Sequence, residues 1–337
     1  MDTSIDISGP EIDVTVAICT YNRAKMLRVA LESLIFQKTG DLFTYEIVVV
    51  DDRSTDETPE VVKEIAAQAG VIVRYVREEG RGIAAARNRG IAEARGEWIA
   101  YTDDDQWNEP DWLYRLVVAA RESDVDCIGG CVELELPPGA ALPLTSVTSS
   151  ILGQKRNREG RIKRLMDSPG TGSLMIRRTV FNKVGVFNDG LLWGGEDAEL
   201  MLRIHGAGIP VWFTPRSVVH HMIPPYRLTE DYFRWVSLRV GVALAEVDAG
   251  LRGRAMMLVL CAARIAQALL VNLPRLIRAM IKRDRGRIVE TKCLLWRAAS
   301  YTRQALYTLA PRLFAQKRFF AGLKFRGERS SVTPGTT

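Results

Sequence analysis

The first hundred residues alternate continuous apolar runs with segments of helical periodicity, and this alternation limits the fold more than any other feature. Apolar strands separated by helices are typical of a parallel sheet that is covered on both faces. We predict an α/β fold with a mostly parallel central sheet flanked by helices. The predicted strands are Val14–Cys19, Tyr45–Val50, Val71–Val76 and Trp98–Tyr101, and the predicted helices are Lys25–Phe36, a helix from Thr58, and Ile83–Ala94.

Acidic residues follow two of these strands, Asp51-Asp52 after the second and Asp103-Asp104-Asp105 after the fourth. In parallel sheets, ligands bind beyond the carboxyl ends of the strands. Three successive carboxylates repel one another, and an Mg²⁺ or Mn²⁺ ion that carries phosphate oxygens offsets the repulsion. The alternative is a solvated loop or an N-cap cluster for a helix near Pro110, which explains one carboxylate rather than three.

Other polar groups have both a functional and a structural interpretation. Asp52 can orient a nucleotide or serve as a turn residue, and Arg87 with Asn88 can approach phosphates, although Arg87 could equally pair with an acid.

Glu196-Asp197 follow Trp193-Gly194-Gly195 and start a predicted helix. They suit a positioned general base, or acids at a helix N-terminus. His220-His221 suggest a metal ligand or phosphate contact, with His220 favoured over His221, against a structural role.

Cysteine usage and the N-terminal residues exclude several classes. The five cysteines are odd in number and contain no C-x-x-C pair, which disfavours a disulfide framework or a zinc site and favours a reducing compartment. Residues 1–11 are polar and acidic, so we expect no secretory signal there.

The sequence beyond Tyr232 is helical in pattern, rich in arginine and amphipathic. From Leu251 onward the net charge is +15, whereas residues 1–250 carry −9. Met256–Leu273 has about the length of a membrane span, roughly 20 residues, but Arg264 near its middle costs about 2.5–3.5 kcal/mol on insertion scales. A helix in the interface of an anionic membrane, with Pro274 opening a second basic helix, fits this charge better. A spanning helix and a buried core helix remain alternatives.

Five sequence elements carry a family resemblance. They are Val16-Ala-Ile-Cys-Thr-Tyr-Asn22, Val48-Val-Val-Asp-Asp-Arg-Ser-Thr-Asp56, Ala86-Arg-Asn-Arg-Gly90, Ala94-Arg-Gly-Glu-Trp-Ile-Ala-Tyr-Thr-Asp-Asp-Asp105 and Gly195-Glu-Asp-Ala-Glu-Leu200. In this order they resemble the family 2 glycosyltransferases over about residues 12–225. The resemblance implies the GT-A fold, with a Rossmann-like nucleotide-binding half. The helical C-terminal extension matches nothing in the common catalytic core.

The resemblance also implies roles for individual residues. Asp103 and Asp105 match the outer positions of the family's D-x-D motif and would hold Mn²⁺ or Mg²⁺, while Asp104 matches its middle position, which sometimes approaches the ribose. We also predict His220 as a metal ligand, because two neighbouring histidines near a carboxylate site suit that role. Asp197 matches the general base, with Glu196 beside it. Arg53 stands where many members have Gly or Asn. Cys19, Thr20 and Tyr21 would contact the base, and Asp52 the nucleotide. The full set of predicted donor-binding residues is Cys19, Thr20, Tyr21, Asn22, Asp51, Asp52, Arg87, Asn88, Asp103 and Asp104.

We therefore predict four regions: a polar tail over 1–11, a GT-A glycosyltransferase domain over 12–230, a basic amphipathic helical region over 231–328 and a flexible tail over 329–337. A long mobile loop is expected around Pro137–Gly139 and Gly153–Arg164.

The predicted activity is metal-dependent, inverting transfer of a sugar from a nucleotide-diphosphate donor to a hydroxyl of a glycan or lipid-linked acceptor. It would serve polysaccharide or glycoconjugate synthesis at the cytoplasmic face of the inner membrane. A sugar-phosphate nucleotidyltransferase is an alternative, but it would favour a Gly-rich triphosphate loop where the first strand ends in Cys-Thr-Tyr-Asn. No G-x-G-x-x-G follows that strand, which disfavours a dinucleotide oxidoreductase. A non-catalytic, membrane-tethered sugar-nucleotide-binding protein is the non-enzyme alternative, and nucleic-acid binding by the tail is the weakest.

Overall fold

A computed structural model describes residues 12–80, 82–191 and 195–314. The strands are β1 (Val14–Thr20), β2 (Tyr45–Asp51), β3 (Ile72–Arg77), β4 (Trp98–Asp103), β5 (Gln106–Asn108), β6 (Cys127–Glu135), β7 (Gly160–Arg161), β8 (Leu174–Arg177) and β9 (Val211–Met222). The helices are α1 (Ala24–Leu34), α2 (Thr58–Gln68), α3 (Ile83–Glu93), α4 (Trp112–Ser123), α5 (Ser146–Ile151), α6 (Arg178–Val184), α7 (Glu196–Gly206), α8 (Glu230–Gln267), α9 (Leu273–Ile281) and α10 (Arg285–Leu309). The predicted α/β class is confirmed.

The strands form one sheet in the order β3-β2-β1-β4-β8-β6-β9-β5, with β7 paired to β9. β1 pairs in parallel with β2 and β4, and β2 pairs in parallel with β3, as predicted. Val16, Ile18 and Val48 are fully buried, which is why these strands read as continuous apolar runs. Beyond β4 the sheet changes direction, because β8 is antiparallel to both β4 and β6.

The register brings the predicted acidic residues to one edge of the sheet. Cys19 lies opposite Val50 on one side and opposite Asp103 on the other, and Thr20 lies opposite Asp51. The carboxyl ends of β1, β2 and β4 therefore meet, and the loops that follow them carry the candidate site.

The segment expected to be a long loop contains regular structure. α5 begins with a capping box: the backbone N–H of Thr148 donates to the Thr145 hydroxyl oxygen, and the backbone N–H of Thr145 donates to the Thr148 hydroxyl oxygen. Val132 bridges to Lys155, and β7 pairs with β9 through Gly160 and Phe213. β9 is also longer than the Pro210–Phe213 strand that the sequence indicates, and it extends through both histidines.

The described residues group into two compact units that are discontinuous along the chain. One comprises those within Met1–Glu133, Lys155–Asp189 and Leu200–His220, and the other those within Leu134–Gln154, Gly190–Glu199 and His221–Thr337. The first holds the parallel half of the sheet. The predicted tails over 1–11 and 329–337, together with Arg81, Trp193 and Gly194, lie outside the described residues.

The second unit contains the predicted C-terminal helices. α8 is interrupted at Gly253, whose φ of +83° is a left-handed conformation that glycine adopts readily. A π-helical turn over Ala268–Asn272 precedes Pro274 near the start of α9. Proline lacks a backbone N–H and crowds the preceding turn, which accounts for this local widening. α10 then packs against α8, with Tyr301 fully buried.

Candidate active site

The two predicted acids at the end of β2 have different environments. Asp51 is fully buried. Its Oδ1 accepts the backbone N–H of Ser54 at 2.8 Å, and its Oδ2 accepts the hydroxyl of Tyr75 at 2.5 Å. Asp52 is half-buried and accepts the N–H of Gly82, just before α3, at 3.1 Å. Asp51 therefore shapes the turn that presents Asp52.

The loops after β1 and β2 are tied together by Asn22, which has a φ of +50°. The N–H of Asn22 donates to Ser54 Oγ at 2.8 Å, and its Oδ1 accepts the N–H of Thr55 at 2.7 Å. Arg53 has a φ of +66°, the left-handed region in which Gly or Asn is the common occupant. The turn thus keeps this conformation despite the larger side chain, at a cost of about 1–2 kcal/mol.

The carboxylates of Asp104 and Asp105 share a cation from the chain itself. The Nη1 of Arg23 lies 2.7 Å from Asp104 Oδ1 and 3.0 Å from Asp105 Oδ2. Thr20 donates its hydroxyl to Asp104 Oδ2 at 2.8 Å. The backbone of both acids is followed by β5, and both side chains are buried.

Arg23 is the residue that sequence reasoning missed. The sequence pattern predicts that a metal ion offsets the repulsion within the acidic triplet, whereas in the structure a guanidinium from the residue before α1 faces two of the three acids. Burial raises the pKa of Asp104 to about 6, and Arg23 opposes that rise. The signal that could have found it was an arginine directly after Asn22, at the end of the strand next to β4.

Asp103 has a more open environment than its two neighbours. Its side chain is 38% exposed, and its Oδ1 lies 3.7 Å from the Nη2 of Arg87. The N–H of Asp103 donates to the Oε1 of Gln106 at 3.1 Å, which fixes the bend after β4. Gly172 borders this carboxylate: a Cβ there would lie 3.3 Å from Asp103 Oδ2 and 2.6 Å from Gln106 Nε2. A side chain at position 172 would therefore narrow the approach to Asp103.

The two predicted donor contacts on α3 differ in their surroundings. Arg87 is buried, with its guanidinium 5.6 Å from the centre of the Phe187 ring and directed also towards Asp103. Asn88 donates from Nδ2 to the backbone carbonyl of Phe187 and accepts the N–H of Phe187, both at 2.9 Å. Asn88 thus fixes the segment that carries Phe187, and Phe187 supports Arg87.

At the end of β1, Cys19 is partly exposed and Tyr21 is 36% exposed. Burial raises the pKa of the Cys19 thiol to about 12, with a further rise from Asp103, so the group stays neutral. The neutral thiol of Cys19 therefore lies near the carboxylates of Asp52 and Asp103 without adding a charge to them.

The two histidines on β9 have separate partners. The His220 ring stacks on Trp107 at 3.9 Å between centroids, and its Nε2 lies 2.8 Å from Glu109 Oε1. Trp107 is two residues beyond Asp105, so β5 links the histidine to the acidic triplet along the chain. His221 is buried, and its Nε2 accepts from Arg227 Nη1 at 2.8 Å.

Glu196 and Asp197 begin α7, as predicted. Asp197 is half-buried, and its Oδ1 accepts the N–H of Ala198 at 2.7 Å. Gly195 has a φ of +94°, and a Cβ there would lie 3.1 Å from the Cβ of Ala243 on α8. The positive φ therefore favours glycine where the chain enters α7, and a larger residue would also press on Ala243.

A divalent cation fits the residue types at the acidic edge. Among the described residues, no group of three or more His, Cys, Asp or Glu side chains is arranged around one point as a metal site. The donor set is nevertheless that of a hard cation, with carboxylates at Asp103 and Asp105. The imidazole of His220 is oriented by a carboxylate, which is the usual environment of a metal-binding histidine.

A parallel half with acids at its carboxyl edge, continued by antiparallel strands, is the arrangement of the GT-A fold. A mannosyltransferase from Pyrobaculum calidifontis, solved with GDP-Man and Mn²⁺, has this fold: it is 20% identical, with a TM-score of 0.57 over 86% of each chain. The predicted fold is confirmed.

The chain belongs to glycosyl transferase family 2, whose sequence pattern matches residues 15–185. EpsH of Bacillus subtilis, which carries a glycosyltransferase name, is 34% identical over 242 residues, covering 70% of this chain and 68% of that one. The succinoglycan biosynthesis protein ExoM of Rhizobium meliloti is 25% identical over 249 residues, covering 72% and 78%. The protein is thus a glycosyltransferase with relatives in polysaccharide synthesis, and the nucleotidyltransferase and non-enzyme alternatives are set aside.

Proposed function

We propose that this glycosyltransferase moves a sugar, with inversion and with Mn²⁺ or Mg²⁺, from a nucleotide-diphosphate donor to a hydroxyl of a glycan or lipid-linked acceptor. Its setting would be the cytoplasmic face of the inner membrane, in polysaccharide or glycoconjugate synthesis. The observation that carries the proposal is the meeting of Thr20, Asp52 and Asp103 where three adjacent parallel strands end: Cys19 lies opposite Asp103, and the N–H of Asp52 donates to the carbonyl of Thr20 at 2.9 Å.

The residues at this edge suit the parts of a donor nucleotide. Asp52, at the end of β2, would accept hydrogen bonds from the nucleoside, and the exposed Tyr21 would contact its base. Arg87 would face the diphosphate, since its guanidinium already lies towards Asp103 and is held there by Phe187. Asp51, Asn22 and Asn88 would act by holding the loops that present these groups.

Asp103, Asp105 and His220 would hold the divalent cation, which when bound supplies Lewis-acid stabilisation to the departing diphosphate. Asp105 is bound by Arg23, so we expect Arg23 to move from Asp105 towards the diphosphate when the donor binds. Asp104 keeps its hydrogen bond to Thr20 and positions the end of β4.

Asp197 would act as the general base, with Glu196 beside it at the start of α7. Its carboxylate takes the proton of the acceptor hydroxyl as the oxygen attacks the anomeric carbon. The bond from that carbon to the diphosphate oxygen breaks, and the nucleoside diphosphate leaves with its electron pair. Attack from the opposite side inverts the anomeric configuration.

The test combines donor binding with transfer. Thermal unfolding with a panel of nucleotide sugars should identify a donor that stabilises the protein only with Mn²⁺, by about 2.7 kcal/mol at a hundred times its Kd. Asp105→Ala should abolish this metal-dependent stabilisation, whereas Asp111→Ala, which removes an exposed carboxylate paired with Arg115, should retain it. Donor binding that is unaffected by EDTA would refute the metal requirement.

Asp197→Asn separates binding from chemistry. It should retain donor binding and lower transfer by a factor of 1,000 or more, on the order expected for the loss of a general base together with its charge. Loss of donor affinity instead would remove Asp197 from the base role. The anomeric configuration of the product, read by NMR, decides between inversion and retention.

A further inference from the structure

The segment from Gly253 to Ile281 exposes apolar side chains to a degree that is unusual for a folded protein. By length and composition alone, it is the one helix among the described residues that could cross a membrane. We define its outer apolar face by Leu258, Val259, Leu269, Leu270, Ile277 and Ile281, which are 42–78% exposed. In this fully described stretch, Gln267 is the single polar residue among the exposed positions from Ala255 to Leu273. The alternative of a buried core helix is therefore wrong.

The opposite side of the same segment is a normal packing surface. Met257 and Cys261 are buried in a cluster with Tyr301 and Ala305 of α10. Cys261 Sγ lies 3.6 Å from Thr302 Oγ1. The helix thus has an occupied inner side, and its outer apolar face needs a partner from outside the helical unit.

Arg264, which opposed membrane insertion at the level of sequence, lies on the inner side. Its guanidinium is 4.4 Å from the centre of the Tyr301 ring and 3.9 Å from Asp248 Oδ2. Asp248 is buried and also accepts the Tyr301 hydroxyl at 2.9 Å. The charge in the middle of the apolar segment is therefore met by an internal carboxylate and turned away from the outer apolar face.

The ends of the segment carry the complementary charge. Arg254 lies at its start, and Arg275, Arg278, Lys282 and Arg283 lie in its last turns or just beyond it, all with exposed side chains. An apolar face bordered by basic residues matches acyl chains bordered by anionic head groups, since lysine and arginine are drawn to the surface potential of such membranes.

We propose that the outer apolar face lies in the plane of an anionic lipid bilayer, with the basic ends at the level of the head groups. In-plane binding is favoured over spanning because α10 runs alongside and carries Lys292, Arg297 and Arg303. A spanning α8–α9 segment would take these charges to membrane depth, where they are costly. An in-plane segment leaves α10 on the side away from the lipid. The proposal specifies the membrane setting in the proposed function, and it does not depend on catalysis.

The experiment uses the full chain without donor, so that a failure of glycosyl transfer leaves the result unchanged. Sedimentation with vesicles of phosphatidylcholine, with or without phosphatidylglycerol, measures the partition coefficient. Leu270→Glu combined with Ile277→Glu should lower it at least tenfold on anionic vesicles. Phe36→Glu is the matched control, since it adds an acid at an exposed apolar side chain of α1's C-terminal end, and it should bind as the wild type does.

A charge variant separates lipid head groups from general adhesion. Replacing Arg275, Arg278, Lys282 and Arg283 by Gln should remove the preference for anionic over neutral vesicles, and 0.5 M salt should weaken wild-type binding. Unchanged melting temperatures would show that the variants fold. Wild-type partitioning by the double Glu variant would overturn the proposal, as would a lipid-free dimer that this variant converts to monomer.

Depth measurements test the in-plane orientation. Fluorophores attached at Leu258→Cys, Leu270→Cys and Ile277→Cys should be quenched equally by shallow nitroxide lipids. Deep quenching confined to position 270 would indicate a spanning helix and refute the in-plane arrangement. Strong binding that survives the double Glu variant but disappears when residues 315–337 are removed would assign the membrane contact to that segment instead.

Discussion

The acidic edge of the sheet and the outer apolar face of the helical unit reverse the usual burial of residue types. Asp104 and Asp105 are only 5% and 3% exposed, whereas Leu270 and Ile281 are 77% and 78% exposed. The buried acids have a cationic partner within the chain, because Arg23 contacts both. The exposed leucine and isoleucine have none among the described residues of their unit. A buried charge thus requires a compensating group within the protein, whereas an exposed apolar face indicates a partner outside the protein.

The largest expected difference in unfolding free energy is between two leucine-to-alanine substitutions, one in the sheet unit and one on the outer apolar face. Leu27 on α1 is fully buried, so Leu27→Ala should lower the free energy of unfolding by about 2–5 kcal/mol. Leu270→Ala should change it by less than about 0.5 kcal/mol, because the side chain is already in solvent. Urea titration measures both. An equal cost at the two positions would mean that the outer apolar face is covered in solution.

The next largest difference in unfolding free energy is expected between two arginine-to-methionine substitutions. Arg23→Met leaves two buried carboxylates together, and we expect a loss of about 2 kcal/mol, below the value for a fully buried pair because the Arg23 side chain is 30% exposed. Arg28→Met removes an exposed ion pair with Glu64 and should lower the free energy of unfolding much less than Arg23→Met does, because solvent screens that pair.

The loss of stability caused by Arg23→Met should depend on pH in a definite direction. The pKa of Asp104 is raised to about 6, and removing Arg23, which lowers it, raises it further. The folded variant then binds a proton at Asp104 more tightly than the unfolded chain does. The loss of unfolding free energy relative to the wild type should therefore be largest above the pKa of Asp104 in the folded variant, and it should shrink as the pH falls below 6. Mn²⁺ should raise the melting temperature of Arg23→Met more than that of the wild type. A deficit that is independent of pH would argue against the carboxylates as its source.

The smallest effect concerns Glu246 on α8, whose pKa burial raises to about 7. Since the folded state holds this proton more tightly, wild-type stability should fall as the pH rises from 4.5 to 7. Glu246→Gln should therefore gain about 1 kcal/mol at pH 8 and nothing at pH 4.5, discounted because the group is partly exposed. Glu64→Gln should show the opposite sign, since Arg28 lowers the pKa of Glu64. Thermal unfolding across pH checks both variants.

The parallel half of the fold could be predicted because its information is local. The β1 and β2 strands are buried on both faces, so Val14–Thr20 and Tyr45–Asp51 are mostly apolar despite Thr15 and Glu46, and they are bounded by turn residues. The antiparallel half could not, because β5 and β7 have three and two residues and depend on pairing with distant segments. The same holds for the site: strand ends located Asp52 and Asp103, whereas Arg23 required the register of β1 against β4.

By itself, the sequence determined the α/β alternation, the acids at strand ends, the family motifs and the basic, amphipathic C-terminal region. These follow from residue type and short-range spacing, which act before the chain is packed. The tertiary structure alone decided that Arg23 compensates Asp104 and Asp105, that Asp51 shapes a turn, and that Arg264 turns inward to Asp248. The pairing of charges 16 to 82 residues apart depends on distances in space, which neither composition nor periodicity contains.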